Sequence, residues 1–127
     1  MTQALNLTLY ERLGGAPAIE AAVDRFYDRI MSDPSLAHFF DRVSMDKQRE
    51  KQKAFMTYVF GGPTNYSGKS LRIAHQRLVE EYGLKDSHFD SVVSHLRSTL
   101  RELKVAPETI KEVVALVETT RNDVLNR

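Results

Sequence analysis

The chain carries four histidines, at positions 38, 75, 88 and 95, and no cysteine. Without thiols there is no disulfide, no thiolate-held zinc or iron–sulfur cluster and no cysteine nucleophile. Any metal chemistry must therefore come from imidazole, carboxylate or a rarer donor. His75 stands beside the apolar positions Leu71, Ala74, Leu78 and Val79. A lone imidazole there is either a boundary residue satisfied by one hydrogen bond or a metal ligand in its neutral form. His88 and His95 lie seven residues apart, whereas a two-histidine metal face wants a spacing of three or four and a third ligand. His95 falls beside the apolar stripe and is expected in solvent. His88, near a helix start, is a candidate for the edge of a pocket.

A second group of polar side chains interrupts a helix. Within residues 44–60 the later half has an ordinary apolar face of Phe55, Met56 and Val59. Continued backwards at helical spacing, that face meets Gln48, Lys51 and Gln52 instead of aliphatics. Burying two amides and an ammonium without partners costs several kcal/mol. This half therefore either faces water or lines a polar pocket holding something that needs donors. Tyr27 is a comparable oddity, a phenol on an otherwise apolar helical face, though a buried ring with its hydroxyl at an edge is common. Residues 62–70 imitate a phosphate-binding loop, but five residues separate Gly62 from Gly68, and Pro63 occupies the required glycine position. A helix precedes that segment where the motif needs a strand, so nucleotide binding is rejected.

The elements that must position these groups read as helices throughout. Ile19, Ala22, Val23, Phe26, Tyr27 and Ile30 form one stripe, opened by Gly14, Gly15 and Pro17 and closed by Asp33 and Pro34. A short aromatic stretch spans 36–40. The helix over 44–60 takes Ser44 as its N-cap and Asp46 in its first turn, and stops at Gly61, Gly62 and Pro63. Residues 61–70 read as loop, 71–82 as helix with Gly83 as its stop. Ser87 and Asp90 have capping-box spacing, ahead of a stripe of Phe89, Val92, Val93, Leu96, Leu100 and Leu103. Pro107 opens a last helix whose face runs Ile110, Val113, Val114, Val117 and Val124.

With 127 residues, 18 Lys+Arg against 17 Asp+Glu and 42% hydrophobic content, the chain reads as one ordinary all-α domain. It is large enough for a single core with room for one enclosed ligand. A near-zero net charge gives no electrostatic case for nucleic acid or an anionic membrane as partner. The longest aliphatic run spans 113–117, far short of a membrane span. The start of the chain lacks the basic and apolar parts of a signal peptide. A cytoplasmic protein is the expectation, with residues 1–8 as an N-terminal extension.

In order and spacing these residues resemble the truncated haemoglobins, group I, most closely the cyanobacterial and green-algal members. The match runs from Leu9 to about Asn126. Leu9-Tyr10-Glu11-Arg12-Leu13-Gly14-Gly15 is similar to the family's opening, Phe26-Tyr27 and His38-Phe39-Phe40 follow at its intervals, and residues 47–62 resemble its distal helix and second glycine pair. Ala74-His75 followed by Leu78-Val79 resembles its proximal helix. The resemblance implies a two-over-two helical sandwich around non-covalent haem b, with His75 as proximal iron ligand. It places Tyr27, Gln48, Lys51 and Gln52 in the distal pocket and Phe40 against the haem plane. Phe39, Phe55, Leu71, Leu78, His88 and Val92 are implied as further haem contacts, and Lys47 as a propionate partner.

Two departures sharpen that picture. Close relatives carry at the Lys51 position a histidine able to close the sixth coordination site. A lysine amine can do the same only when neutral, against an unperturbed pKa of about 10.4; the alternative is that Lys51 reaches past the haem edge to a propionate or solvent. We expect ligation, with ferric protein low-spin at mildly alkaline pH and high-spin on acidification. Some relatives also have a histidine near the C-terminus that attaches to a haem vinyl group. Residues 119–126 contain none, so extractable haem is expected. The implied function is reversible binding of oxygen or nitric oxide, extending to nitric oxide dioxygenation with an unidentified reductase, in a protein expected to be monomeric. The competing readings are a six-coordinate haem protein for electron transfer or sensing, and a haem-free helical module with Tyr27, Gln48 and Gln52 on its surface.

Overall fold

The computed structural model describes residues 9–40, 45–62 and 68–127, and no strand occurs among them. The helices are α1 (Leu9–Arg12), α2 (Ala16–Met31), α3 (Pro34–Ala37, continued by a 3-10 turn over His38–Phe40), α4 (Met45–Val59), α5 (Gly68–Tyr82), α6 (Asp86–Glu102), α7 (Pro107–Glu118) and α8 (Arg121–Val124). Helix α2 packs on α4 and on α6, α6 packs on α7, and α4 reaches α7. Two helix pairs thus lie one over the other, a two-over-two sandwich. Helix α5 stands apart and packs on α8.

The stripes read from the sequence are the surfaces that meet. Ile19, Ala22, Val23, Phe26, Tyr27 and Ile30 of α2 are all buried. Ile19, Val23, Phe26 and Ile30 join Phe89, Val93, Leu96 and Leu100 of α6 and Met56 of α4 in one core cluster. Burying a side chain such as Phe26 or Ile30 contributes roughly 1.5–3 kcal/mol. The two glycine pairs dock the first turn onto the end of α4. Gly14 and Gly15 take φ of 113° and 72°, a region open to glycine. At Gly62 a Cβ would sit 2.7 Å from the Tyr10 ring, and beside it the Tyr10 amide donates to the Phe60 carbonyl at 2.8 Å.

Four expectations shift. Helix α5 begins at Gly68, three residues before the predicted start, because the added turn carries no apolar periodicity to betray it; residues 63–67 of the predicted loop lie outside the described residues, as does the Ser44 cap. The last helix is broken. Thr119 and Thr120 turn their hydroxyls back to the carbonyls of Leu116 and Val117, at 2.5 and 2.6 Å. These local bonds compete with continued helix, and α8 restarts after them. The capping box at Ser87 and Asp90 is displaced: α6 starts at Asp86, and the Lys85 amide donates to His88 Nδ1 at 3.1 Å. An imidazole at the third helical position supplies the reach-back that a carboxylate usually makes. His95, expected in solvent, is half-buried and donates from Nε2 to Asp33 Oδ2 at 2.7 Å. Asp33 also accepts from the Ser35 amide and hydroxyl, and the bond from His95, then those from Ser35, hold its carboxyl below the usual range. The pair ties the turn before α3, and with it the aromatic segment, to the middle of α6.

Candidate functional site

An apolar-walled cavity of about 300 Å³ opens between the two helix layers and α5. This falls at the lower end of the range typical for small-molecule and cofactor sites. Phe26, Ile30, Leu36, Phe39 and Phe40 form one side; Phe89, Val92, Val117, Val124 and Leu125 form another. The remaining walls are unlike each other. Gln48, Lys51, Gln52 and Phe55 descend from α4, while α5 contributes Ala74, His75, Arg77 and Leu78. A larger depression, about 450 Å³, lies on the surface between α6 and α7 and is lined by Arg97, Arg101, Lys111, Glu108 and apolar residues, with no imidazole.

His75 is the only imidazole in the described α5. Its Nδ1 lies 2.8 Å from the Leu71 carbonyl. A carbonyl only accepts, so Nδ1 carries the proton and Nε2 keeps its lone pair. Burial lowers the imidazole's affinity for a second proton, the Lys51 charge lowers it further, and the Leu71 bond opposes both. The ring is therefore neutral near pH 7, in the tautomer a metal ligand needs. Lys51 of α4 and His75 of α5 line the same cavity.

The polar stripe of α4 divides as follows. Gln48, Lys51 and Gln52 all line the cavity, the amides half-buried and Lys51 exposed on the solvent side. Tyr27 is 1% exposed, is not in the lining and packs against the cavity-lining Phe40: its ring centroid lies 6.0 Å from that of Phe40, at 58°. Burial pushes its phenol up, partly offset by Arg49, whose guanidinium carbon is 5.4 Å from the Tyr27 ring centroid. Phe39, Phe40, Phe55, Leu78, His88 and Val92 line the cavity. Leu71 does not; it is buried beneath and contributes its carbonyl to His75. Lys47 is exposed and outside the lining. His88 presents its ring edge to Phe39, 5.0 Å away at 83°, and the His38 ring stacks on Phe39 at 4.0 Å. Burial, then Lys85, then His38 lower the His88 pKa.

Several lining residues escaped the sequence reading. Phe26 and Ile30 read as core of α2, and nothing in their spacing separates cavity wall from packed interior. Val124 and Leu125 reach the cavity because the threonine pair redirects the chain. Arg49, outside the lining but over the Tyr27 ring, adjoins the Gln48/Lys51/Gln52 stripe and carries no signal of its own.

Among the described residues no group of three His, Asp or Glu side chains is placed to hold a metal ion. One neutral imidazole faces one amine and two amides, and that donor set suits a metal that arrives in a macrocycle supplying the other ligands. The apolar walls on either side fit the macrocycle itself. An all-helical two-over-two sandwich with such a cavity defines a small globin.

Comparison with known proteins agrees. Residues 8–126 match the model of the bacterial-like globin family. The chain is 48% identical over 122 residues to the group 1 truncated haemoglobin GlbN of Synechocystis sp., covering 94% of this chain and 98% of the relative. It superposes with TM-score 0.89 on the crystal structure of the 2/2 haemoglobin of Synechococcus sp. PCC 7002 in the cyanomet state with covalently attached haem. The two are 49% identical over 95% of this chain and all of that one. Chlamydomonas reinhardtii THB1 is similar at 53% identity and TM-score 0.82, with 92% of this chain and 95% of that one covered. The chain belongs to the bacterial-like globins, and among them to the group 1 truncated haemoglobins. It is a haem globin for small gaseous ligands such as oxygen. No described helix is long and apolar enough to cross a membrane.

Proposed function

We propose that this globin holds haem b without a covalent tether, with His75 as proximal ligand. It takes oxygen or nitric oxide on the α4 side and converts the two to nitrate. The observation that carries the reading is the His75–Leu71 bond, which leaves a neutral imidazole with a free Nε2 on the wall opposite Gln48, Lys51 and Gln52. Bound haem supplies an iron that takes a diatomic ligand and places partial negative charge on it. The chain's own groups do the rest. His75 is oriented by Leu71. Phe39, Phe40, Phe55, Leu78 and Val92 exclude water from the apolar faces. Gln48, Gln52 and the Tyr27 hydroxyl are the donors to the ligand, and Lys47 with Arg77 at the rim serves the carboxylates of the macrocycle. Lys51, on the cavity and exposed at its solvent side, would be the chain's own competitor for the iron against an incoming ligand.

The net reaction balances as oxygen plus nitric oxide plus one electron to nitrate, the electron being returned to the protein by a reductase. Mixing the oxygenated ferrous protein with nitric oxide in stopped flow should give ferric protein and one equivalent of nitrate within the first tens of milliseconds. Slow conversion without nitrate would leave an electron-transfer or sensing role in its place.

The Synechococcus 2/2 haemoglobin carries covalently attached haem. Here α8 is Arg-Asn-Asp-Val, with no imidazole to attack a vinyl group. Acid–organic extraction is expected to remove all haem from the polypeptide; iron-porphyrin comigrating with the chain in a denaturing gel contradicts the non-covalent assignment.

A further inference from the structure

Helices α2 and α4 carry the three proposed distal donors, Tyr27 on one and Gln48 and Gln52 on the other. Two ion pairs cross the seam between these helices. Asp24 pairs with Arg49, and one turn away Glu20 pairs with Lys53 at 3.3 Å. Both acids are four residues apart on α2 and both bases four apart on α4, so the pairs form a two-rung antiparallel ladder along one edge of the seam. Exposed rungs of this kind contribute little to stability.

The rungs differ in one respect. The Arg49 guanidinium also lies over the Tyr27 ring, 5.4 Å from its centroid, within the distance at which a cation is attracted to an aromatic face. Asp24, which anchors the guanidinium, and Tyr27, which it covers, are three residues apart on α2 and share a turn. The Tyr27 ring therefore meets Arg49 from α4 and Phe40 from the aromatic turn. A cation over the face draws electron density from the ring and makes the phenolic O–H a stronger donor. Lys53 has no such contact with a ring among the described residues.

We propose that the Asp24–Arg49 pair is a positioning device for the Tyr27 phenol, setting the direction and strength with which its hydroxyl is offered to a ligand in the cavity. Arg49 is a positioning residue: it does not line the cavity and acts only through Tyr27. The inference rests on the reading of Tyr27 as a distal donor.

The test uses the holoprotein and two readouts, the oxygen dissociation rate and the C–O stretching frequency of the carbon monoxide complex. Arg49→Leu should speed oxygen dissociation about threefold to tenfold, the range a lost cation–ring contact can account for, and raise the C–O frequency. Lys53→Leu, which breaks the other rung, should leave the rate within about twofold and the frequency unchanged. In a Tyr27→Phe background the Arg49 substitution should have no further effect. An equal effect of Arg49→Leu with and without the Tyr27 hydroxyl overturns the proposal, as does a Lys53→Leu effect of the same size. If Tyr27→Phe changes dissociation and Arg49→Leu does not, this inference alone falls. If Tyr27→Phe changes nothing, the distal-donor reading falls and takes this inference with it.

Discussion

Replacing His75 by glycine is expected to release most of the bound haem, with affinity falling about a hundredfold or more. A direct ligand is lost, and even the outer partners of such ligands commonly contribute 10- to 100-fold. The loss should appear in stability as well. A group that binds only the folded chain stabilises it in proportion to the logarithm of its affinity, so a hundredfold loss removes about 2.7 kcal/mol. For a domain of this size that lowers the melting temperature by roughly 10 °C. Free imidazole should restore both haem retention and the absorption spectrum, because glycine vacates the volume between Leu71 and the cavity while leaving the walls in place. A melting temperature and a Soret band unchanged in His75→Gly would remove His75 from the proximal role. The Leu71 carbonyl lies on the backbone and cannot be deleted by substitution, so His75 is the one position at which this wall of the site can be tested directly.

The second large effect concerns Lys51. With the amine as internal ligand, ferric protein at mildly alkaline pH is six-coordinate and low-spin, and acid converts it to high-spin because a protonated amine cannot ligate. Lys51→Ala should be high-spin across that whole range. Its ligand binding should also be faster, since an internal ligand occupying the site about 99% of the time reduces apparent affinity about a hundredfold. Lys51→Arg is the informative companion. It keeps the positive charge that His75 feels and the reach to a carboxylate at the rim, but a guanidinium does not deprotonate in this range. If the Lys51→Arg variant keeps the wild-type spectrum, Lys51 serves the rim and not the iron. A visible spectrum that Lys51→Ala leaves untouched has the same meaning. The exposure of Lys51 in the structure suits a ligand that must leave before an external one enters.

Much of the site is visible in the residues alone. The break in the α4 stripe at Gln48, Lys51 and Gln52 is a conflict between helical periodicity and side-chain polarity. Such conflicts concentrate at functional sites, and this one lies on the cavity wall. His75 is marked by the same kind of misfit beside Leu71 and Leu78. Tyr27 is marked too, but its depth is not: periodicity places a residue on a face without saying how many layers separate it from a cavity. His95 shows the limit from the other direction. Its offset from the α6 stripe suggests solvent, yet Asp33, 62 residues earlier, comes up beside it. The capping of α6 departs from expectation for a local reason, since His88 is not a residue type the box pattern anticipates.

By itself the sequence determined the helical class, the order and approximate ends of the long helices, and the presence of one imidazole and one polar half-stripe that interrupt apolar faces. These are properties of spacing and side-chain chemistry, written in stretches of ten to twenty residues. Only the tertiary structure decided that the imidazole and the half-stripe face each other. It also decided that Val124 and Leu125 return past Thr119 and Thr120 to close the wall, and that Arg49 lies over Tyr27 instead of in water. Each of those is a contact between elements distant in the chain. Such contacts follow from how the stripes cross when all of them are buried at once, which no single stripe specifies. The absence of cysteine removed thiolate ligands; the packing of the fold gave His75 of α5 and Lys51 of α4 a common cavity.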